Sequence, residues 1–499
     1  MIPVNRTEQN DAIQQPPQQP VPVVPVLPEN FITRSNDVIE RAVRFCLGLA
    51  VTVLTIVVPR KFQSGFRAFV GEGSNATRSL SQSATAKNMI MLVMLNGLIG
   101  VFGIATQILI TNGLGRETFG EYAFYAALGA YGASLVRFGR DRTMIRDIVH
   151  CPERFEDIVG GTVILSLILA TLFFIGLWIC GTISGMSMPV ALWLVVLGCI
   201  LVSFDLQPIY DSWHRMGLHA VFALYQRVFE YAPLWIIILV CPWFFNIPVI
   251  ALFTISASLL ILSYQYRGVL AATHLRVFNR QNLIAAWHQF FANFEIALGT
   301  FLGLFFGPTT RVFLKHSWDS SEVGIFSATF QILLIVVFLF TQISRISRPA
   351  MARVTIPGVE QRKKRKVVFL YTLIMLAVSL PFAMPMIFFP KQITALVFIP
   401  EYSRVAEILP VLGVYKIVTA TGSVLNQYIQ AARYDRLYLF GIAAGAALCI
   451  VLGFTMIPAY GASGAAWTLL LSHGLLVFIS LCVAIYSLYF QKQSASASS

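Results

Sequence analysis

Apolar runs of about twenty residues, separated by short polar or basic connections, recur from residue 89 to near the end of the chain. A helix of that length crosses the ~30 Å hydrocarbon core of a bilayer. The pattern predicts twelve such spans, at about 89–111, 118–138, 157–181, 187–207, 220–242, 246–266, 283–306, 322–344, 367–389, 405–428, 436–457 and 461–489. The longest internal connection, Arg345 to Lys366, is about twenty residues, so no soluble domain fits between two spans. An earlier apolar run, Phe45 to Pro59, is short for a span. A thirteenth helix, a re-entrant dip and a surface segment all remain open for it. Residues 1–40, rich in Pro and Gln, read as a disordered, partly polyproline arm.

Polar positions inside the spans fall in stripes. His288, Ala292, Glu295 and Gly299 share one helix face at i, i+4, i+7 and i+11. Phe290, Phe291 and Phe294 point elsewhere and suit lipid or packed protein. An ionised side chain at mid-bilayer costs about 2.5–3.5 kcal/mol on insertion scales, so His288 and Glu295 should face a cavity or a partner. Asn96, Gly100, Gly103 and Gln107 repeat the same stripe 192 residues earlier. Phe119-Gly120-Glu121-Tyr122 and Val323-Gly324-Ile325-Phe326 open later spans at an offset of 204, which places twelve additional residues around the seventh and eighth spans. The expected fold is therefore an all-α polytopic membrane protein with two six-helix lobes. Six is even, so both lobes share one orientation, and a pseudo-two-fold axis runs along the membrane normal through a central cleft. The expected division is a Pro/Gln-rich arm over 1–40, an extension over 41–88, an N-lobe over 89–270, a C-lobe over 271–490 and a tail over 491–499.

Composition agrees with this class: 57% of the 499 residues are hydrophobic and 12% charged, against about 25% charged in soluble domains. The net charge of +13 does not point to nucleic acid, because the basic residues cluster in connections. Of 36 Lys and Arg, 29 fall before the first span, in alternate connections and in the tail, and 5 fall on the opposite side. This bias places both termini in the cytoplasm and makes anionic membrane lipids the expected neighbours. The seven cysteines show no CxxC pair or metal-ligand spacing, so no metal site is expected and they read as packing residues.

Several stretches resemble the polysaccharide or oligosaccharide flippases, in the superfamily that also holds multidrug-extrusion and lipid II transporters. They are Gly113 to Ala123, Phe138-Gly139-Arg140-Asp141-Arg142 with Arg146-Asp147-Ile148, Glu322 to Ala328, Ile399-Pro400-Glu401-Tyr402 and Ile457 to Ala466. At position 399 an isoleucine stands where that family has glycine. In order, these motifs cover residues 90–490. The resemblance implies movement of an undecaprenyl-pyrophosphate-linked oligosaccharide from the cytoplasmic to the outer leaflet. The protein would sit in the cytoplasmic (inner) membrane and need no cofactor beyond a proton or sodium gradient. Polysaccharide polymerase or assembly proteins are candidate partners.

Such a carrier needs a polar cavity for sugar and cations for pyrophosphate. If the resemblance holds, Asn96, Gln107, Tyr122, Tyr125, Arg140, Arg142 and Lys416 are the candidates for that lining. Arginine matches phosphate oxygens in two-pronged fashion. Against this, Arg140 and Arg142 also suit topology-setting charge, and Tyr122, Tyr125, Gly129 and Gly132 share a face that equally suits close helix packing. Lys416 shares a small, polar face with Gly413, Ala420, Ser423 and Gln427; a pair with Glu295 and contact with an anionic substrate are both open. Arg227 and Glu230, three apart, can neutralise each other. His288 with Glu295 is the candidate for ion coupling. The competing readings are a multidrug antiporter, which would take small cations and need a more acidic cleft, and a membrane enzyme, which would need a larger extramembrane loop. No P-loop is present.

Overall fold

The computed structural model describes residues 84–185, 188–213, 216–273, 279–356 and 359–490. The arm, the apolar run at 45–59 and the tail lie outside the described residues, as does the side chain of Asn96. Uninterrupted apolar sequence without a central breaker makes long helices, and the chain turns where glycine or proline intervenes. The first helix, α1 (Ala84–Arg137), is two helices joined at Gly115, whose φ of 74° is a left-handed conformation that side chains with a Cβ resist. After it come α2 (Arg140–His150), α3 (Phe155–Ile183), α4 (Val190–Val202), α5 (Gln207–Ser212), α6 (Met216–Val240) and α7 (Ile247–Ala272). The second bundle holds α8 (Arg280–Gly303), α9 (Pro308–Ser317), α10 (Ser320–Val354), α11 (Gln361–Phe388), α12 (Pro390–Val397), α13 (Val405–Ala431) and α14 (Asp435–Ile485). In α14, Gly461 (φ 58°) joins two helices as Gly115 does in α1. Eight helices among the described residues are long and apolar enough to cross a membrane.

The two bundles repeat one packing scheme. In the first, α4 lies against α1 and α7; in the second, α13 lies against α10 and α14. The extra residues expected in the second half are visible. Where the first half of α1 runs unbroken to Gly115, α8 breaks at Leu304–Phe306 and restarts as the short α9.

The bundles meet at the side opposite the basic connections. There α1 crosses α10 so closely that a Cβ on Gly120 would overlap the Ser320 carbonyl, and one on Gly324 the Arg116 carbonyl. A set of hydrogen bonds seals this end. Asn112 donates to the Val397 carbonyl (2.9 Å) and accepts from the Ile399 amide (3.2 Å). Tyr402 donates its hydroxyl proton to the Thr111 carbonyl (3.0 Å), and Thr111 donates to Gln331 (2.7 Å). Burial along α10 shows the consequence. Residues 320–329 are buried on every side, whereas Leu334, Val337, Thr341 and Arg348 are exposed further along. Close packing on every side of α10 is therefore confined to this end. Elsewhere α8 leans on α3: Gln289 donates to the Ile158 carbonyl (2.9 Å), and Phe138 stacks on Phe290 at 4.9 Å.

Candidate functional site

Each bundle encloses a polar cluster, and the two differ in charge. In the first, Arg227 on α6 donates to Glu230 (2.8 Å) and to the Tyr231 hydroxyl (2.9 Å). Thr254 on α7 donates to the other carboxylate oxygen of Glu230 (2.9 Å). The i, i+3 pair expected from the sequence thus forms, and the cluster is charge-balanced. Gln107 on α1 lies beside the Tyr231 hydroxyl.

The second bundle gathers cations. Arg311, on the inserted α9, donates from Nε to the Ser327 hydroxyl (3.0 Å) and lies 5.5 Å from the Phe330 ring centre. Lys416 on α13 is 5% exposed, with Nζ 5.3 Å from the centre of the Tyr415 ring. His473 on α14 packs edge-on against Tyr415 (5.4 Å) and Phe306 (4.9 Å). Its Nδ1 is buried and has no hydrogen-bond partner. Among the described residues, no carboxylate lies within ion-pair distance of Arg311 or Lys416. What these cations have instead is a hydroxyl and the faces of aromatic rings, which attract positive charge without cancelling it. A buried cation lacking a counter-charge is costly, and a site built this way gains most from a ligand that brings negative charge.

The sequence-derived candidates divide. Lys416 points into the second bundle, as its small, polar face implies, but the alternative of a pair with Glu295 is not met. Glu295 and His288 are both exposed, on the face of α8 that also presents Trp287 and Phe291.

Arg140 needs correction as a phosphate receiver. It is 5% exposed and both terminal nitrogens of its guanidinium are committed: to the Ser203 carbonyl, to the Asp205 carbonyl (3.0 Å) and to the Ser166 hydroxyl (3.4 Å). It clamps the ragged end of α4, whose last carbonyls have no partner within the helix. The side chain of Arg142 lies outside the described residues.

Tyr125 is corrected as a cavity-lining residue. It is 7% exposed within the core, and on the same face Gly129 and Gly132 press on Cys199 and Phe173, so the packing alternative holds there. Tyr122 packs against the same core beside Arg227 and Tyr231.

Arg311 and His473 escaped the sequence reading. Arg311 looked like a connection residue, and only the offset of twelve residues hinted at extra structure there. His473 left a plainer signal, as an ionisable residue midway along an otherwise apolar span.

The fold has known counterparts. A lipid II flippase MurJ in an inward closed conformation matches over 79% of this chain and 87% of its own, at 12% identity and a TM-score of 0.59. An inward-facing multidrug resistance MATE family transporter of the MOP superfamily matches over 81% of this chain and 96% of its own, at 13% identity and a TM-score of 0.52. No curated protein matches by sequence search. At these identities the likeness establishes the fold alone, which this chain shares with both. A family model described as polysaccharide biosynthesis protein matches residues 85–355. More than half of the chain lies in that match, and the protein belongs to the polysaccharide biosynthesis protein family.

Proposed function

We propose that this protein flips a polyprenyl-pyrophosphate-linked oligosaccharide across the cytoplasmic membrane by alternating access, during cell-surface polysaccharide synthesis. The observation that carries the reading is that Arg311, Lys416 and His473 gather in the second bundle with no carboxylate among the described residues in ion-pair reach of the two cations. A pyrophosphate supplies the missing negative charge, and arginine and lysine are the side chains suited to it. The family supports a role in polysaccharide synthesis, and the fold supports transport. The bias of lysine and arginine supports a cytoplasmic location for the basic connections, the side from which such a substrate would load. The exposed run Arg362-Lys363-Lys364-Arg365-Lys366 would rest on anionic lipid. Polymerase and assembly proteins are the proposed partners for the product.

The test uses the purified protein in vesicles with a fluorescent polyprenyl-pyrophosphoryl sugar whose outer-leaflet pool is quenched chemically. The expected result is protein-dependent flipping of the labelled lipid and no movement of ethidium. Export of ethidium without lipid flipping would replace this reading with a cation antiporter of the same fold.

Coupling to an ion gradient belongs to the same proposal, with Glu295 and His288 as its candidates, although both are exposed on the face of α8 that presents Trp287 and Phe291. Glu295→Gln should reduce flipping while leaving expression intact. Flipping that stays unchanged across a pH series would remove the coupling role.

A further inference from the structure

Polar residues cross the first bundle as three rungs. On α6 they are His219, Gln226 and Glu230, which share one helix face at i, i+7 and i+11. On α7, Gln265, Ser258 and Thr254 answer them at the same intervals in reverse. The innermost rung is saturated, because Glu230 accepts from both Thr254 and Arg227. At the outermost rung, His219 Nε2 meets the two carboxylate oxygens of Asp205 at 2.8 and 3.1 Å, and Gln265 accepts from the Leu206 amide (3.1 Å). The middle rung is one hydrogen bond, from the Gln226 amide to the Ser258 hydroxyl (3.1 Å). It leaves the Gln226 amide oxygen and a lone pair of the serine for another partner. Between the middle and outermost rungs lies a small cavity. Asp205, Gln226, Ser258 and Gln265 line it, with Leu201 and Val202 from the end of α4, and it has room for one water-sized guest.

We infer that this cavity is a binding site for a monovalent metal cation, sodium, held by the Asp205 carboxylate, the Gln226 amide oxygen and the Ser258 hydroxyl. Hard cations take oxygen ligands of these kinds. A single carboxylate lines the cavity, and no lysine, arginine or histidine does. One such charge balances a monovalent ion, whereas a divalent ion would stay partly uncompensated away from water. The C-terminal end of α4 adds the negative end of its helix dipole. The nearest fixed cation, Arg140, spends its terminal nitrogens on the Ser203 and Asp205 carbonyls and on Ser166, and His219 holds the Asp205 carboxylate from outside the lining. Depth grades along the site: the Asp205 side chain is 31% exposed and Ser258 is 1% exposed. Asp205 therefore stands at the entrance, where water completes the oxygen shell, and Ser258 at the base. An ion seated here ties α4, α6 and α7 together. The site is separate from Arg311 and Lys416 and does not depend on the functional reading above.

Binding of radioactive sodium to the purified full-length protein in detergent, in choline chloride buffer, tests the site directly. The wild-type protein should bind the label, release it to excess unlabelled sodium and keep it against excess choline. Asp205→Asn should abolish the binding. Ser258→Ala and Gln226→Leu each remove one neutral oxygen and should weaken it about tenfold. These two variants leave the Asp205–His219 pair in place, so they carry the test if Asp205→Asn does not fold. Melting curves give a second readout: sodium in place of choline should raise the melting temperature of the wild-type protein and leave that of Ser258→Ala nearly unmoved. Absence of sodium binding by the wild-type protein would show that the cavity takes water only and overturn the inference. Binding of equal strength in the wild-type protein and in Ser258→Ala and Gln226→Leu would place the ion elsewhere and overturn it as well. Neither result bears on the flippase reading, which stands or falls with the labelled lipid.

Discussion

Single residues decide whether the charged groups of this protein hold its shape or do its work, and sequence alone sorted them unevenly. Lys416 was legible because its helix face is small and polar over four turns. Arg140 was misleading: an arginine beside a helix end looks the same whether it meets phosphate or its own backbone. Only the distances to Ser203, Asp205 and Ser166 separate the two. Arg140→Ala should therefore act on stability. Each hydrogen bond to a charged group contributes about 1.5–3 kcal/mol, so the variant should melt at a clearly lower temperature in detergent. The fraction that stays folded should flip lipid at close to the normal rate. A normal melting curve with lost flipping would return Arg140 to the substrate path. His473 shows the opposite failure. An ionisable residue midway along an apolar span marks the position, but only the fold shows that it packs against Tyr415 of another helix.

At the level of elements, periodicity located the long helices well, because burial against neighbours and lipid demands unbroken apolar sequence. It could not foresee how they meet. The asymmetry between the two offsets, 192 and 204, marked an insertion, but not that the added residues would fold into α9 and carry Arg311 to the Phe330 ring. Nor did it show that the 397–402 segment would bracket α1. Two hydrogen bonds from the single amide of Asn112, and one from Tyr402, tie this segment to the other bundle. Buried hydrogen bonds of this kind contribute about 1 kcal/mol each. Asn112→Ala combined with Tyr402→Phe should therefore move the balance toward an opening on the outer side by roughly 2–3 kcal/mol. A cysteine introduced at Val337, in a cysteine-free background, reports this: labelling from the basic side should slow in the double variant. Unchanged labelling would show that the Gly120–Gly324 crossing alone holds the seal.

The whole molecule is two like bundles made unlike by charge. The first closes its internal cluster with the Arg227–Glu230 pair. The second leaves Arg311 and Lys416 without a carboxylate partner among the described residues, facing aromatic rings that tolerate cations but do not neutralise them. The duplication and the shared orientation were readable from repeat spacing and from the side on which lysine and arginine collect. The electrostatic contrast was not, because it depends on which helices become neighbours. The central claim is that the unpaired cations of the second bundle receive the anionic head of the substrate. The most direct measurement compares flipping of the labelled polyprenyl-pyrophosphoryl sugar in vesicles by the wild-type protein, by Arg311→Gln with Lys416→Gln, and by Arg227→Gln. Loss of two charge-assisted contacts should slow the double variant by at least about a hundredfold, with Arg227→Gln much less affected. A double variant that flips at the wild-type rate would contradict the account.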